Sequence, residues 1–233
     1  MPVAPVFALS RSRLSEEIVS ILQKQIMSGT IAPGSKLPTE NDLASSFKVN
    51  RTTLREALRR LEHLGLIEIR HGDGVYAKNY LESGNFDLIK AAVGMDKSNE
   101  TFMNVLEVRL AVGPMAAARA AERRTEADLA ELKQATEDED LSTAERDLKV
   151  HQIIARASHN VVYIIAFNFF HQIHLEYGRL YYSGISKGRH TGTFHRSLYE
   201  AIRDQKPESA QQIMYQGLLR ANTNFQKLLA GKP

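Results

Sequence analysis

Arg51, Thr52, Arg55 and Arg59 recur at helical spacing, on the side opposite Leu54, Leu58 and Leu61. A guanidinium can bond both acceptors of a guanine edge, and a threonine hydroxyl can meet a base or a phosphate. Asn50 stands where it can cap that helix, and the free N–H groups of the first turn attract phosphate. A second set of reactive types lies further on. Asp147 and His151 fall one turn apart within the stripe Ala144, Leu148, Val150, Ile154 and Ala155. His195 shares a face with Leu198, Tyr199 and Ile202, and Arg109 shares one with Phe102, Val105, Leu106 and Val112. Ionisable groups aimed into apolar faces need partners. Their chemistry is that of a polar pocket in a helical bundle, or of an ion pair between Arg109 and Asp147.

The elements that must hold these residues follow from periodicity and punctuation. Leu14, Ile18, Leu22 and Ile26 mark a first helix ended by Gly29. Residues 30–38 carry Pro33, Gly34 and Pro38 and read as a loop. Thr39 opens a short helix with Asp42 as its capping partner, and Leu43 and Phe47 face inward. After the turn 48–50 comes the helix carrying Leu54, Ala57, Leu58, Leu61 and Leu64, closed by Gly65. Strands are expected at 66–70 and 75–78, joined by His71-Gly72-Asp73-Gly74. The polar stretch 79–85 reads as a linker. Beyond it helices are predicted near 86–93, 98–122, 126–137, 142–158, 161–183, 191–204 and 207–230. Thr125 with Asp128, and Ser142 with Glu145, are expected caps, and Pro207 suits a first helical turn. The fold class is an N-terminal winged helix-turn-helix at 8–78, followed by an all-α helical bundle of about seven helices at 86–231.

Composition narrows the class. The chain has 233 residues and no cysteine, which excludes disulfides and thiolate metal sites. The longest apolar run, 161–170, is too short to span a bilayer and contains Asn168. With no signal-peptide pattern at the start, a cytoplasmic protein is expected. The net charge is +3, and residues 1–79 hold all of that excess, with 11 Lys/Arg against 8 Asp/Glu. Five basic residues and the single acid Glu56 lie between Lys48 and Arg60, a pattern that suits a nucleic-acid partner.

Lys36-Leu37-Pro38-Thr39-Glu40, Leu43-Ala44, the run from Val49 to Leu58, Leu61, Gly65-Leu66 and His71-Gly72-Asp73-Gly74 resemble the DNA-binding domain of GntR-family regulators. The resemblance covers about residues 10–78. It implies a homodimer on a pseudo-palindromic, double-stranded operator. Arg51, Thr52, Thr53 and Arg55 would contact the DNA, with Thr39 and Glu40 beside them and His71 and Gly72 at the wing. The family usually has Arg after the residue matching Glu40. Here it is Asn41, so one phosphate or base contact is lost or altered.

Leu106-Glu107-Val108-Arg109, the run Ala116 to Ala121, Asp147 with His151, Asn160 and His195 resemble the effector domain of the FadR subfamily. That likeness implies a divalent metal (Zn, Ni or Mn) on Asp147, His151 and His195, with a fourth His where this chain has Gly217. Gln216, His171 and His174 are other candidate donors. Asn79-Tyr80, Glu82-Ser83-Gly84, Gly178-Arg179, Tyr181 and Tyr215 with Gly217 resemble instead the subfamily's acyl-CoA-sensing members. They imply an acyl-CoA pocket that includes Arg109, Tyr181 and Gly217, the glycine leaving room for a thin chain. Arg220, Asn224 and His151 depart from that pattern. Two effectors stay open, a fatty acyl-CoA and a small carboxylate held with a metal, with Arg109, Tyr181, Gly217, Asp147 and His195 as ligand residues. The expected function is a ligand-responsive transcription regulator, a repressor in fatty acid metabolism, and not an enzyme. A metal-dependent hydrolase is the remote alternative.

Overall fold

The computed structural model describes residues 10–178 and 190–231. Internal contacts divide the chain into two units, meeting between Lys97 and Ser98.

The first unit opens with α1 (Ser10–Met27), α2 (Glu40–Ser46) and α3 (Arg51–His63), followed by β1 (Ile67–Arg70) and β2 (Gly74–Ala77). The buried face of α1 runs through Ser15, Ile18, Val19, Leu22 and Ile26, while Leu14, expected on that face, is 44% exposed. A 3.6-residue period carries the stripe away from Leu14 within one turn. Helix α2 begins at Thr39, whose hydroxyl accepts from the Asp42 N–H. Asn50 does the same for α3, accepting from the Thr53 N–H at 2.8 Å. These caps satisfy N–H groups that a helix start otherwise leaves without partners. Leu54, Ala57, Leu58 and Leu61 are fully buried and bind α3 to the core beneath it. Truncating any of these leucines to alanine would cost about 2–5 kcal/mol.

The strands pair antiparallel, Ile67 opposite Ala77 and Arg70 opposite Gly74. The stretch read as a loop supplies a third edge: Gly34 N–H donates to Ala77 O, Ala77 N–H to Ser35 O, and Leu37 N–H to Val75 O. The wing is therefore held along both sides of β2. Beyond it lie α4 (Tyr80–Ser83) and α5 (Asp87–Met95). The stretch 79–85, polar enough to read as a linker, is bonded to the winged helix. The Ser83 hydroxyl donates to Gly65 O and the Asn85 amide to His63 O. Gly65 permits this approach, because a Cβ there would lie 2.0 Å from the Ser83 carbonyl oxygen. Leu88 joins the same core.

The second unit is helical: α6 (Glu100–Arg123), α7 (Glu126–Glu137), α8 (Thr143–Ala157), α9 (Val161–Tyr177), α10 (His190–Arg203) and α11 (Pro207–Leu229). Thr125 with Asp128, and Ser142 with Glu145, form reciprocal capping boxes at α7 and α8. Helix α6 is central and packs on α8, α9, α10 and α11. Buried Ala116, Ala117, Ala120 and Ala121 keep its surface low, so that its neighbours approach closely. No helix among the described residues is long and apolar enough to cross a membrane.

Candidate functional site

Two groups of side chains have an arrangement that matters chemically, one in each unit. In the first unit the start of α3 presents Arg51, Thr52 and Arg55 to solvent, with Arg59 one turn beyond Arg55. Arg51 and Arg59 form no ion pair among the described residues. Arg55 is held by Glu40, its Nε 2.8 Å from Glu40 Oε2, so the helix before the turn aims this guanidinium. Thr39 and Asn41 are exposed beside it in the first turn of α2. Thr53 departs from the expected edge. It is 3% exposed and its side chain packs into the unit, because the third residue of α3 faces the core side of that turn. The exposed edge is therefore Arg51, Thr52, Arg55 and Arg59.

A cleft of about 610 Å³ separates α3 from the wing, and Lys36, Arg55, Arg59, Arg70 and His71 are among its walls. His71 and Gly72 form the exposed wing tip. The tip is braced from behind. Lys36 Nζ lies 2.7 Å from Asp73 Oδ1, and the Tyr76 hydroxyl donates to Asp73 Oδ2 at 2.8 Å. Hydrogen bonding to Asp73 holds the Lys36 ammonium above its usual pKa, and Lys36 holds the Asp73 carboxyl below its own. Arg70 stacks on the Tyr76 ring, 4.2 Å from its centroid, while bonding Glu68. A capped helix with an arginine edge, next to a braced hairpin, has the geometry of a major-groove reader with a minor-groove wing.

The second group is buried. Arg109 on α6, Asp147 and His151 on α8, His174 on α9 and His195 on α10 are all enclosed, Asp147 the most exposed at 7%. Asp147 is the hub. Its Oδ1 lies 3.1 Å from His195 Nε2 and 3.4 Å from His151 Nε2, and its Oδ2 lies 3.6 Å from Arg109 Nη2. Arg109 also reaches His174, with Nη1 3.4 Å from Nε2. His174 Nδ1 lies 2.8 Å from the Phe170 carbonyl, which only accepts, so the proton is on Nδ1 and Nε2 faces the guanidinium as an acceptor. Sequence reasoning reached Arg109, Asp147, His151 and His195, and the structure brings all four together. His174 had appeared only as a substitute donor. Helix α9 is apolar on nearly every side, so no stripe marks which residue turns inward. His171, its neighbour on α9, is only half-buried.

Burial disfavours charge on each of these groups, and the partners decide the outcome. For His151, burial and then the Arg109 charge push the pKa down to about 4, against the pull of Asp147. For His174 the same two causes push it down to about 3. Burial would raise Asp147, but His151, His195 and Arg109 together hold its carboxyl well below the usual range. The cluster at neutral pH is one carboxylate and one guanidinium, with His151 and His174 neutral. An ionised carboxylate has no proton to give, so both imidazoles facing it donate from Nε2. That leaves Nδ1 of the neutral His151 as an acceptor, and it and His195 Nδ1 are both buried with no hydrogen-bond partner among the described residues.

The fourth ligand position of the metal set is closed. Gly217 carries no donor atom, and a Cβ there would lie 2.2 Å from the Phe194 ring. That ring fills the place where a side chain at 217 would reach the cluster. Among the described residues, no group of three or more His, Asp or Glu is arranged to hold a metal ion. The residues present thus do not fit the four-ligand site. The same ring corrects the expectation that Gly217 leaves room for an acyl chain: the glycine makes space, and an aromatic side chain from α10 occupies it. Tyr181 lies outside the described residues.

Residues 14–77 match the family model of bacterial regulatory proteins, gntR family, and residues 104–220 match the FCD domain. An uncharacterized HTH-type transcriptional regulator of Mycobacterium tuberculosis is 38% identical over 118 residues, which span 51% of this chain and only 48% of that relative. The galactonate operon transcriptional repressor of Escherichia coli is 30% identical over 212 residues, 85% of this chain and 90% of the repressor. The fatty acid metabolism regulator protein of Edwardsiella ictaluri is 30% identical over 184 residues, 77% of each chain.

Proposed function

Because the chain belongs to the GntR family of bacterial regulatory proteins and carries an FCD domain, we propose that it is a repressor of transcription that binds operator DNA as a homodimer and is controlled by a small hydroxylated acid. The observation that carries the DNA-binding reading is the exposed Arg51, Thr52 and Arg55 edge on a capped helix beside a braced wing. Arg51 and Arg55 meet guanine edges in the major groove, Thr52 meets a base or phosphate, and His71 and Gly72 follow the minor groove. Thr39 and Glu40 border the same groove, Glu40 through its grip on Arg55. Such a protein acts where the chromosome is, in the cytoplasm.

The effector reading rests on the buried cluster. Two buried imidazole nitrogens without a partner among the described residues ask for hydroxyl groups, and the guanidinium of Arg220, on the adjacent surface cleft, suits the acid end of a ligand. A sugar acid or other hydroxy acid has both groups. The relation to a galactonate operon repressor is consistent with that class. The relation to a fatty acid regulator favours an acyl-CoA instead, but the Phe194 ring over Gly217 stands against a chain lying there. Ligand binding would bias the dimer between geometries that do and do not match the half-site spacing.

The test uses labelled duplexes tiling the DNA upstream of the protein's own gene, titrated at fixed salt. One tile should bind on the order of 10³-fold tighter than a scrambled duplex. A flat profile across all tiles contradicts the reading. Sugar acids from four to six carbons, added one at a time, should include one that both raises the melting temperature and weakens binding to that tile.

A further inference from the structure

Phe194 sits between two spaces. On its inner side its ring lies against the imidazoles, with centroids 5.2 Å from His195 and 6.1 Å from His151. On its outer side it forms the floor of a surface cleft of about 270 Å³ between α10 and α11. The rim of that cleft is polar: Thr193, Ser197, Gln212, Gln216 and Arg220. Phe194 is half-buried, whereas His195 next to it is fully buried and His151 is 3% exposed. The ring is thus the partition between solvent and two imidazole nitrogens, His151 Nδ1 and His195 Nδ1, that have no partner among the described residues.

The glycine at 217 explains how the partition is seated. Any side chain there would strike the ring at three carbons, the farthest of them only 2.7 Å from the added Cβ. Gly217 leaves a flat backbone surface on which the ring rests. A phenylalanine side chain has two rotatable bonds, so it can leave that seat without unfolding a helix. Opening it would join the outer cleft to the buried cluster. It would also put the Arg220 guanidinium at one end of a single path and the His151 and His195 Nδ1 atoms at the other.

We propose that Phe194 is the gate of the effector site, that Gly217 is its seat, and that ligands enter from the α10–α11 cleft with their acid group on Arg220 and their hydroxyls leading. The charges favour this order. Inside, Arg109 is already matched by Asp147, and an acid group added there must displace that pairing. At the rim Arg220 has no ion-pair partner among the described residues. The gate selects for slim, hydroxylated chains and against bulky acyl groups. The inference rests on the effector reading above for its ligand class, while the gate itself can be tested without any ligand.

The experiment is histidine carbethoxylation by diethyl pyrocarbonate, followed residue by residue by mass spectrometry, on the full-length protein. In the parent, His151, His195 and His174 should label slowly and the half-exposed His159 quickly. In Phe194→Ala, labelling of His151 and His195 should accelerate at least about tenfold, the size expected when a protecting group is removed locally. His174, on the far side of Arg109, should stay protected and thereby report that the helices remain packed. If Phe194→Ala exposes His174 as well, the decision passes to Gly217→Ala, which lifts the ring and keeps its bulk. The same selective acceleration is expected there. The proposal is overturned if folded Gly217→Ala or Phe194→Ala protein labels His151 and His195 no faster than the parent. It is also overturned if the parent labels them as fast as His159. A working gate with no response to any sugar acid would leave the gate standing and reject the ligand class.

Discussion

The two units put their charged side chains in opposite environments. In the first, Arg51, Thr52, Arg55 and Arg59 stand in solvent on a helix whose leucines are fully buried beneath them. In the second, Arg109 and Asp147 are buried together with three histidines and hold one another in place. The exposed set contributes little to stability, so it is available for a partner. The buried set is tied to the packing of four helices, so whatever binds there is felt by all of them. A reader of DNA needs the first arrangement and a sensor needs the second.

The largest effect expected from this contrast is on DNA binding alone. Arg51→Ala/Arg55→Ala should weaken specific binding by roughly 2–6 kcal/mol, at about 1–3 kcal/mol for each lost bidentate contact. Stability to denaturant should change by no more than about 0.5 kcal/mol, as for other surface substitutions. The converse is Arg109→Met, which strands the Asp147 carboxylate in the core. Chemical denaturation should register a loss of about 3–5 kcal/mol, the usual result of breaking one half of a buried pair. If Arg109→Met is neutral, the cluster is more solvated than its burial implies.

A smaller effect, and one confined to the second unit, is expected with pH. His151 and His174 titrate in the folded chain near 4 and 3, against 6.5 in the unfolded chain. Between those values the unfolded chain binds protons that the folded chain refuses, so stability falls as pH drops below 6.5. At pH 5 each histidine contributes a loss of about 2 kcal/mol relative to neutral pH. Asp147 adds a further loss only below its unfolded value of 3.8, where the folded carboxylate still resists protonation. The melting temperature should fall steadily from pH 7 to pH 5, and His174→Gln should flatten that slope. A slope unchanged by His174→Gln would mean that burial and the Arg109 charge do not hold the imidazole neutral.

The smallest predicted effect belongs to the cap of the reading helix. Asn50→Ala leaves the Thr53 N–H without its acceptor and should cost about 1 kcal/mol in thermal or chemical unfolding. Asn50→Asp should retain the bond. If both variants lose stability equally, the cap is not what orders the first turn of α3.

What could be read from the sequence follows the distance over which each feature is decided. The caps at Thr39, Asn50, Thr125 and Ser142 are settled within four residues, and all four are present in the structure. The hairpin and the α3 stripe are equally local. Thr53 belongs to the DNA-contacting set only through the family resemblance; helical spacing leaves it off the face of Arg51, Thr52, Arg55 and Arg59, and its burial agrees with the spacing. The polar composition of 79–85 suggested a linker, but the bonds from Ser83 and Asn85 to residues 18 and 22 positions earlier lie beyond any local pattern. The buried cluster was partly legible, since a polar residue within an apolar stripe stands out on α6, α8 and α10. On α9 the surroundings of His174 are apolar throughout and give no contrast. Gly217 was read as empty space because a sequence shows what a residue lacks and not what its neighbours put there. The ring that fills the space comes from a different helix.

The most direct test of the account is selection from a pool of randomised duplexes by the purified parent protein, repeated with Arg51→Ala/Arg55→Ala. The parent should enrich one sequence with two inverted half-sites about one helical turn apart, or a multiple of it, and the double variant, equally stable, should not enrich it. Enrichment of no sequence by the parent, or of the same sequence by both proteins, would contradict it.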